Sequence, residues 1–136
     1  TEYTVANSKT FGKTMGDIGG NPQYDAARAN WGGTWRMPTK AEFDELLNKC
    51  KWEWTTQGGK KGYRVIGPNG NSIFLPAAGW RSGSSLCNAD TNGLYWSSTP
   101  YSISTGRAYY LYFNSGFWGT DRNNRNDGFP VRPVSE

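Results

Sequence analysis

No histidine occurs anywhere in the 136 residues. That removes a Ser–His–Asp or Cys–His nucleophile system, histidine-ligated zinc and a histidine pH switch. Cysteine is nearly as scarce. Cys50 and Cys87 are compatible with one disulfide or with two buried thiols, and two are too few for a disulfide framework. No stretch is long or apolar enough to span a membrane as a helix. No leader pattern opens the chain at Thr1, which leaves the compartment open.

Carboxylates are few, and none falls in a pattern that suggests chemistry. Asp44 and Glu45 sit on the exposed side of an expected helix, while Asp121 and Asp127 lie far along the chain. A glycosidase needs two carboxyl groups held across a cleft at a fixed separation, and nothing here suggests such a pair. Asn88–Gly93 imitates the start of a calcium loop, but the place of the bidentate Glu is taken by Thr99. It reads as a polar turn. Gly58-Gly59-Lys60-Lys61 lacks the spacing of a phosphate-cradling loop and reads as a hairpin turn. Neither a metal nor a cofactor is expected. The net charge of +4 is mild. Its basic residues gather at Lys49, Lys51, Lys60, Lys61 and Arg64, apart from the aromatic C-terminal stretch, so a solvated face is expected rather than a nucleic-acid site.

What the chain has is glycine, tryptophan and tyrosine, which imply an aromatic core and a loop-rich fold. The length suits one domain with a proper core. A first strand is expected at Tyr3–Val5. Asn21-Pro22 reads as a helix start, with a short helix through Tyr24–Ala29 ended by Trp31-Gly32-Gly33. Thr39 and Glu42 make a capping box for a second helix, on which Phe43, Leu46, Leu47 and Cys50 form one buried stripe. Cys50 there reads as a small core residue. The period then changes to two. Strands are expected around Trp52–Trp54, Tyr63–Ile66 and Ser72–Leu75, the last two joined by the Gly67-Pro68-Asn69-Gly70 turn. Ala77–Gly93 reads as a loop. Strands resume at Leu94–Ser98, Ala108–Asn114, Phe117–Thr120 and Phe129–Val134. Helices followed by short antiparallel strands are an α+β pattern. Of the seven tryptophans, Trp31, Trp35, Trp52, Trp54 and Trp96 read as scaffold, whereas Trp80 and Trp118 fall in expected loops.

The stretch Tyr95–Pro133 interleaves two kinds of residue. Trp96, Ala108, Leu111, Phe113 and Val131 look like frame. Between them stand Tyr, Ser, Ile, Thr, Gly, Arg, Phe, Asp and Asn, of which Tyr, Ser, Gly and Asn are enriched in adaptable binding surfaces. On Ala108–Asn114, alternation puts Tyr110 and Tyr112 opposite Leu111 and Phe113. The two tyrosines are therefore expected on an open binding face, dispensable for folding, with Tyr109 on the packed side.

Four motifs in order resemble one family: Gly32-Gly33-Thr34-Trp35-Arg36-Met37-Pro38-Thr39, Ile73-Phe74-Leu75-Pro76-Ala77-Ala78-Gly79, Tyr95-Trp96-Ser97-Ser98-Thr99 and Gly128-Phe129-Pro130-Val131-Arg132-Pro133-Val134. It is the FISUMP, or major paralogous, domain, related to the formylglycine-generating-enzyme type of C-type-lectin fold. The resemblance runs from about Asp25 to Val134. It implies a single C-type-lectin-like domain over residues 1–136: an N-terminal segment (1–21), a scaffold (22–100) and a variable region (101–134).

Within that group the C-terminal part resembles the variable protein of a diversity-generating retroelement. There, substitution at the adenines of an Asn codon yields residues such as Tyr, Asp, Ser, Thr, Ile, Gly, Arg or Phe. The ligand-binding set so implied is Tyr101, Ser102, Ile103, Ser104, Thr105, Gly106, Arg107, Tyr110, Tyr112, Phe117, Trp118, Gly119, Asp121, Arg122, Asn124, Asn126 and Asp127. The loops Tyr101–Arg107 and Phe117–Asp127 are expected to flank the tyrosines. Such a protein is not an enzyme. It is displayed on a bacterial surface or a phage tail tip and binds a surface protein or glycan, with no nucleic acid and no membrane insertion. The alternatives are a secreted FISUMP domain with a fixed carbohydrate or protein partner and, third, a formylglycine-generating-type enzyme. Neither Cys50 nor Cys87 lies in a motif matching the last.

Overall fold

A computed structural model describes residues 2–136; Thr1, the first residue of the expected N-terminal segment, lies outside them. The protein is a mixed α+β domain with two α-helices and mostly antiparallel strands in small sheets.

The N-terminal segment is irregular. Where a strand was expected, Tyr3 makes a single bridge to Gly83 and Val5–Asn7 forms a 3-10 turn. Helix α1 runs Ala26–Trp31, later than the Asn21-Pro22 start, because Asp25 is its cap. The Asp25 carboxylate is fully buried and accepts backbone N–H bonds from Gly20, Ala27, Arg28 and Met37. It closes the helix and ties it to the chain on either side. Gly32 ends α1 in the left-handed region, at φ 64°. Two of the expected scaffold tryptophans flank this end and face solvent, Trp31 at 60% and Trp35 at 42% exposure. Strand β1 (Trp35–Arg36) pairs with β10 (Val134–Ser135), bringing the two ends of the family-like region together.

Helix α2 (Lys40–Lys49) carries the expected capping box between Thr39 and Glu42. Glu42 also receives both terminal nitrogens of Arg36, at 2.6 and 3.0 Å. These bonds hold its carboxyl down at about 2. Phe43 is buried, and Leu46, Leu47 and Cys50 pack half-buried beside it.

Strands β2 (Lys51–Gln57), β3 (Lys60–Ile66) and β4 (Ser72–Pro76) form one antiparallel sheet, with Gly58-Gly59 as a hairpin turn. Strand β3 crosses β4 so closely at Gly62 that a Cβ there would lie 2.2 Å from the Leu75 carbonyl oxygen. The stretch expected as a loop holds a small hairpin, β5 (Trp80–Ser82) and β6 (Ser85–Cys87). Asn88–Asn92 is a tight polar turn with Asn88 and Asp90 at positive φ. The third sheet has the order β7 (Gly93–Pro100), β8 (Arg107–Asn114), β9 (Phe117–Asn124). After it, Phe129–Pro133 is not a strand; only Val134–Ser135 pairs.

The core lies between α2, the β2–β4 sheet and the inner face of the β7–β9 sheet. Trp52, Tyr63, Val65, Leu75, Tyr95, Leu111 and Phe113 fill it with Phe43. Its polar tips are satisfied: Tyr63 donates to the Asn114 carbonyl, Tyr95 to Pro76 and the Trp52 indole to Leu46. Cys50 and Cys87 are both free thiols.

Candidate ligand-binding face

Strands β8 and β9 are a hairpin in unbroken register from Arg107↔Asn124 to Asn114↔Phe117. The Asn114 carboxamide fixes its turn by accepting from the Gly116 N–H. Directly paired residues share a face, so the register sorts the expected site residues into two groups. Tyr110, Tyr112, Phe117, Gly119 and Asp121 lie on the outer face with Ala108, Asn114 and Asn123. Arg107, Trp118, Arg122 and Asn124 lie on the inner face with Tyr109, Leu111, Phe113 and Thr120.

The expected alternation of Tyr110 and Tyr112 against Leu111 and Phe113 is present, but the outer face is open over only half its width. Trp96 on β7, Trp80 and Phe129 cover the other half and make a second core cluster with Leu94 and Tyr110. Tyr110 is 8% exposed, 4.9 Å from the Phe129 ring and 6.0 Å from Trp96. It is a packed residue, which corrects its expected place as a free contact. Its phenol is pushed up to about 12, first by burial and then by the charges of Asp121, Tyr112 and Asp127. Trp80, expected in a loop, stands edge-on to Phe129. Beyond Tyr110 the face opens. Tyr112 is half-buried and packs against that cluster, so it is only partly the free contact expected; Phe117 is exposed and lies 6.0 Å from it, and Asp121 is exposed. Phe117 lies across Gly119, where a Cβ would come within 3.0 Å of its ring.

The segment Phe117–Asp127, expected to be loop beyond Thr120, is strand as far as Asn124. Trp118 is therefore neither in a loop nor on the outer face. It lies parallel to Trp52, centroids 6.1 Å apart, and edge-on to Tyr63. On the inner face beyond the N-terminal end of α2, Arg122 lies 4.7 Å over the Tyr101 ring, and Tyr101 packs edge-on against Tyr109. Lys40 lies over Tyr109 in turn. Asn126 and Asp127 follow in the turn after β9, where the Trp96 indole donates to the Asp127 carbonyl.

Residues 101–106 form an exposed turn between β7 and β8. Ser102 and Thr105 face solvent and Ile103 is 82% exposed, while Ser104 and Gly106 are half-buried. The turn is held from behind. Its Thr105 carbonyl accepts from Gly12, and Phe11 packs against Gly106. Arg125 joins three segments: Nε donates to the Arg107 carbonyl, while Nη1 donates to the carbonyls of Thr10 and Lys13, each at 2.8 Å. Arg125 carries no signal in the sequence, because its partners are backbone carbonyls that no side-chain pattern reveals. A cavity of about 350 Å³ lies under the same segment, lined by Met15, Ile18, Met37, Trp96 and Phe129 among others.

The open part of the outer face lies toward the Asn114–Phe117 turn of the hairpin, while the 101–107 turn and the N-terminal segment behind it lie at its Arg107–Asn124 end. No curated protein and no solved structure matches the chain at a significant level. The model of one family, described as the Lcl C-terminal domain, matches residues 21–135, leaving out most of the segment that braces the turn. With all but the first twenty residues and the last one inside that match, the chain belongs to the Lcl C-terminal domain family.

Proposed function

We propose that this domain is a non-enzymatic binding module with a C-type-lectin-like frame, whose exposed face is diversified by a retroelement. One observation carries the reading. The residue types that adenine substitution produces, at Tyr112, Phe117, Gly119 and Asp121, share one sheet face, and Ser102, Ile103 and Thr105 stand on an exposed turn at the Arg107 end of the same hairpin. The residues alternating with them, Leu111 and Phe113, are fully buried. Packing fixes the backbone, and substitutions on the open half of the face cost little stability. Tyr110 belongs to the frame, so the contact surface is narrower than the sequence implied. The partner is a surface protein or glycan, and the module is displayed on a bacterial surface or a phage tail tip.

The family model covers the frame and is compatible with either a diversified or a fixed face. Sequencing the locus from several isolates separates the two. The diversified reading expects adenine-directed changes at the codons of Ser102, Ile103, Thr105, Tyr112, Phe117, Gly119 and Asp121, with Leu111 and Phe113 constant. A nearby reverse transcriptase and a near-copy repeat should accompany them. An invariant face in every isolate, without such a repeat, leaves a secreted FISUMP-type domain with a fixed partner.

A further inference from the structure

The two faces of the β8–β9 hairpin differ in the charges they carry. The inner side has Arg107 and Arg122, the latter over the Tyr101 ring, while Lys40 of α2, over Tyr109, is neutralised by its ion pair with Asp44. The outer side has a run of rings, Tyr110 to Tyr112 to Phe117, with centroids 6.5 and 6.0 Å apart. Asp121 pairs in register with Tyr110 on that side. Asp127 is held near the Trp96 edge through its own carbonyl. Both carboxylates are close enough to raise the Tyr110 phenol by their charge.

Neither Asp121 nor Asp127 has an ion-pair partner among the described residues. Asp121 accepts only the N–H of Arg122, and the Asp127 side chain is half-buried, with burial pushing its carboxyl up. The nearby cations point elsewhere. Arg125 binds backbone carbonyls of the N-terminal segment, and Arg81 donates to the Ser84 carbonyl. In a chain of net charge +4, an aromatic face flanked by two unpaired carboxylates is locally opposite in sign to the whole.

We propose that the outer face recognises a basic segment of a protein partner, taking a lysine or arginine side chain across Tyr112 and Phe117 with its charge at Asp121 and Asp127. The chemistry fits on both counts. The alkyl stem of such a side chain lies along apolar rings while its head stays polar. A cation is attracted to the ring face and to the carboxylates together. An acidic ligand meets repulsion at the same place. The inference deepens the binding reading above and depends on it.

The test is an amide-resolved NMR titration of the intact protein with Nα-acetyl-lysinamide and Nα-acetyl-argininamide. Nα-acetyl-norleucinamide serves as the uncharged control and glucuronate as the acidic one. Shifts should concentrate at Tyr112, Phe117, Gly119 and Asp121, with norleucinamide binding about fivefold more weakly, as loss of an exposed charge contact implies. Asp121→Asn alone should weaken the cationic probes, and Asp121→Asn with Asp127→Asn should bring them to the norleucinamide level. Dispersed spectra of both variants confirm that they fold. Equal binding of norleucinamide, stronger binding of glucuronate, or no shift on this face with either cation overturns the proposal. In those cases adenine-directed variation at the locus would still stand for the binding reading, so the two can fail separately.

Discussion

Phe129 lies on Tyr110, ring centroids 4.9 Å apart, and closes over the half of the β7–β9 sheet that alternation alone leaves open. This contact turns a tyrosine of the exposed-looking strand side into a core residue. Tyr110→Ser should therefore destabilise the domain by roughly 3 kcal/mol, as large core truncations do. Phe117→Ser, on the same side but exposed, should change stability by under about 1 kcal/mol. Denaturant melts of the two variants check the pair. A near-neutral Tyr110→Ser would mean that Phe129 does not cover it.

Trp118 makes the complementary case on the other side of the hairpin. Parallel to Trp52 and edge-on to Tyr63, it seals the main core although 40% exposed. Trp118→Ala should cost about 1–2 kcal/mol through lost packing. In thermal melts it should behave like a frame substitution such as Trp96→Ala, and unlike changes at Ser102 or Ile103.

Acid should act through Glu42. A carboxyl held at about 2 by Arg36 contributes stability that is fully present above about pH 4.5 and lost as the pH falls towards 2. The pair is partly exposed, so the contribution is on the order of 1 kcal/mol after solvent screening. Glu42→Gln should flatten the pH dependence of stability in that window alone. An unchanged slope between pH 4.5 and 2 would show that the ion pair does not form in solution.

Arg125 should govern order in the 101–107 turn. Its guanidinium holds carbonyls of Thr10, Lys13 and Arg107, and Arg125→Ala would leave them to water. Hydrogen exchange at Gly12, Tyr101 and Arg107 should quicken by about tenfold, the equivalent of one charged hydrogen bond. Exchange in the Leu111–Phe113 stretch should hold steady. Equal acceleration everywhere would show a global loss of stability instead.

The parts of the fold legible in the sequence are those set by local chemistry. The capping box at Thr39 and Glu42 acts within one turn, and the Gly58-Gly59 turn is made by its own residues. Helix α1 starts later than local chemistry predicts because Asp25 is held by the N–H groups of Gly20 and Met37, which come together only in the fold. Strand β9 runs on to Asn124 through residues with little strand preference, since pairing with β8 outweighs propensity. At the site, the alternation on β8 is legible from the sequence. What alternation could not show is the cover, because Trp80 and Phe129 arrive from either end of a long stretch of chain. Trp31 and Trp35 differ from the scaffold expectation for the converse reason: among the described residues both remain exposed.

The claim that this domain presents a tolerant contact surface on an intolerant frame has a direct measurement. A surface-displayed library randomised at Ser102, Ile103, Thr105, Tyr112, Phe117 and Asp121 is sorted first for folding, then for binding to a panel of unrelated proteins. A parallel library at Leu94, Trp96, Tyr110, Leu111, Phe113 and Phe129 is sorted for folding alone. The account predicts that most members of the first library fold and that new binders emerge from it, while few members of the second fold. Widespread unfolding in the first library, or folded members that never yield a binder, would contradict it.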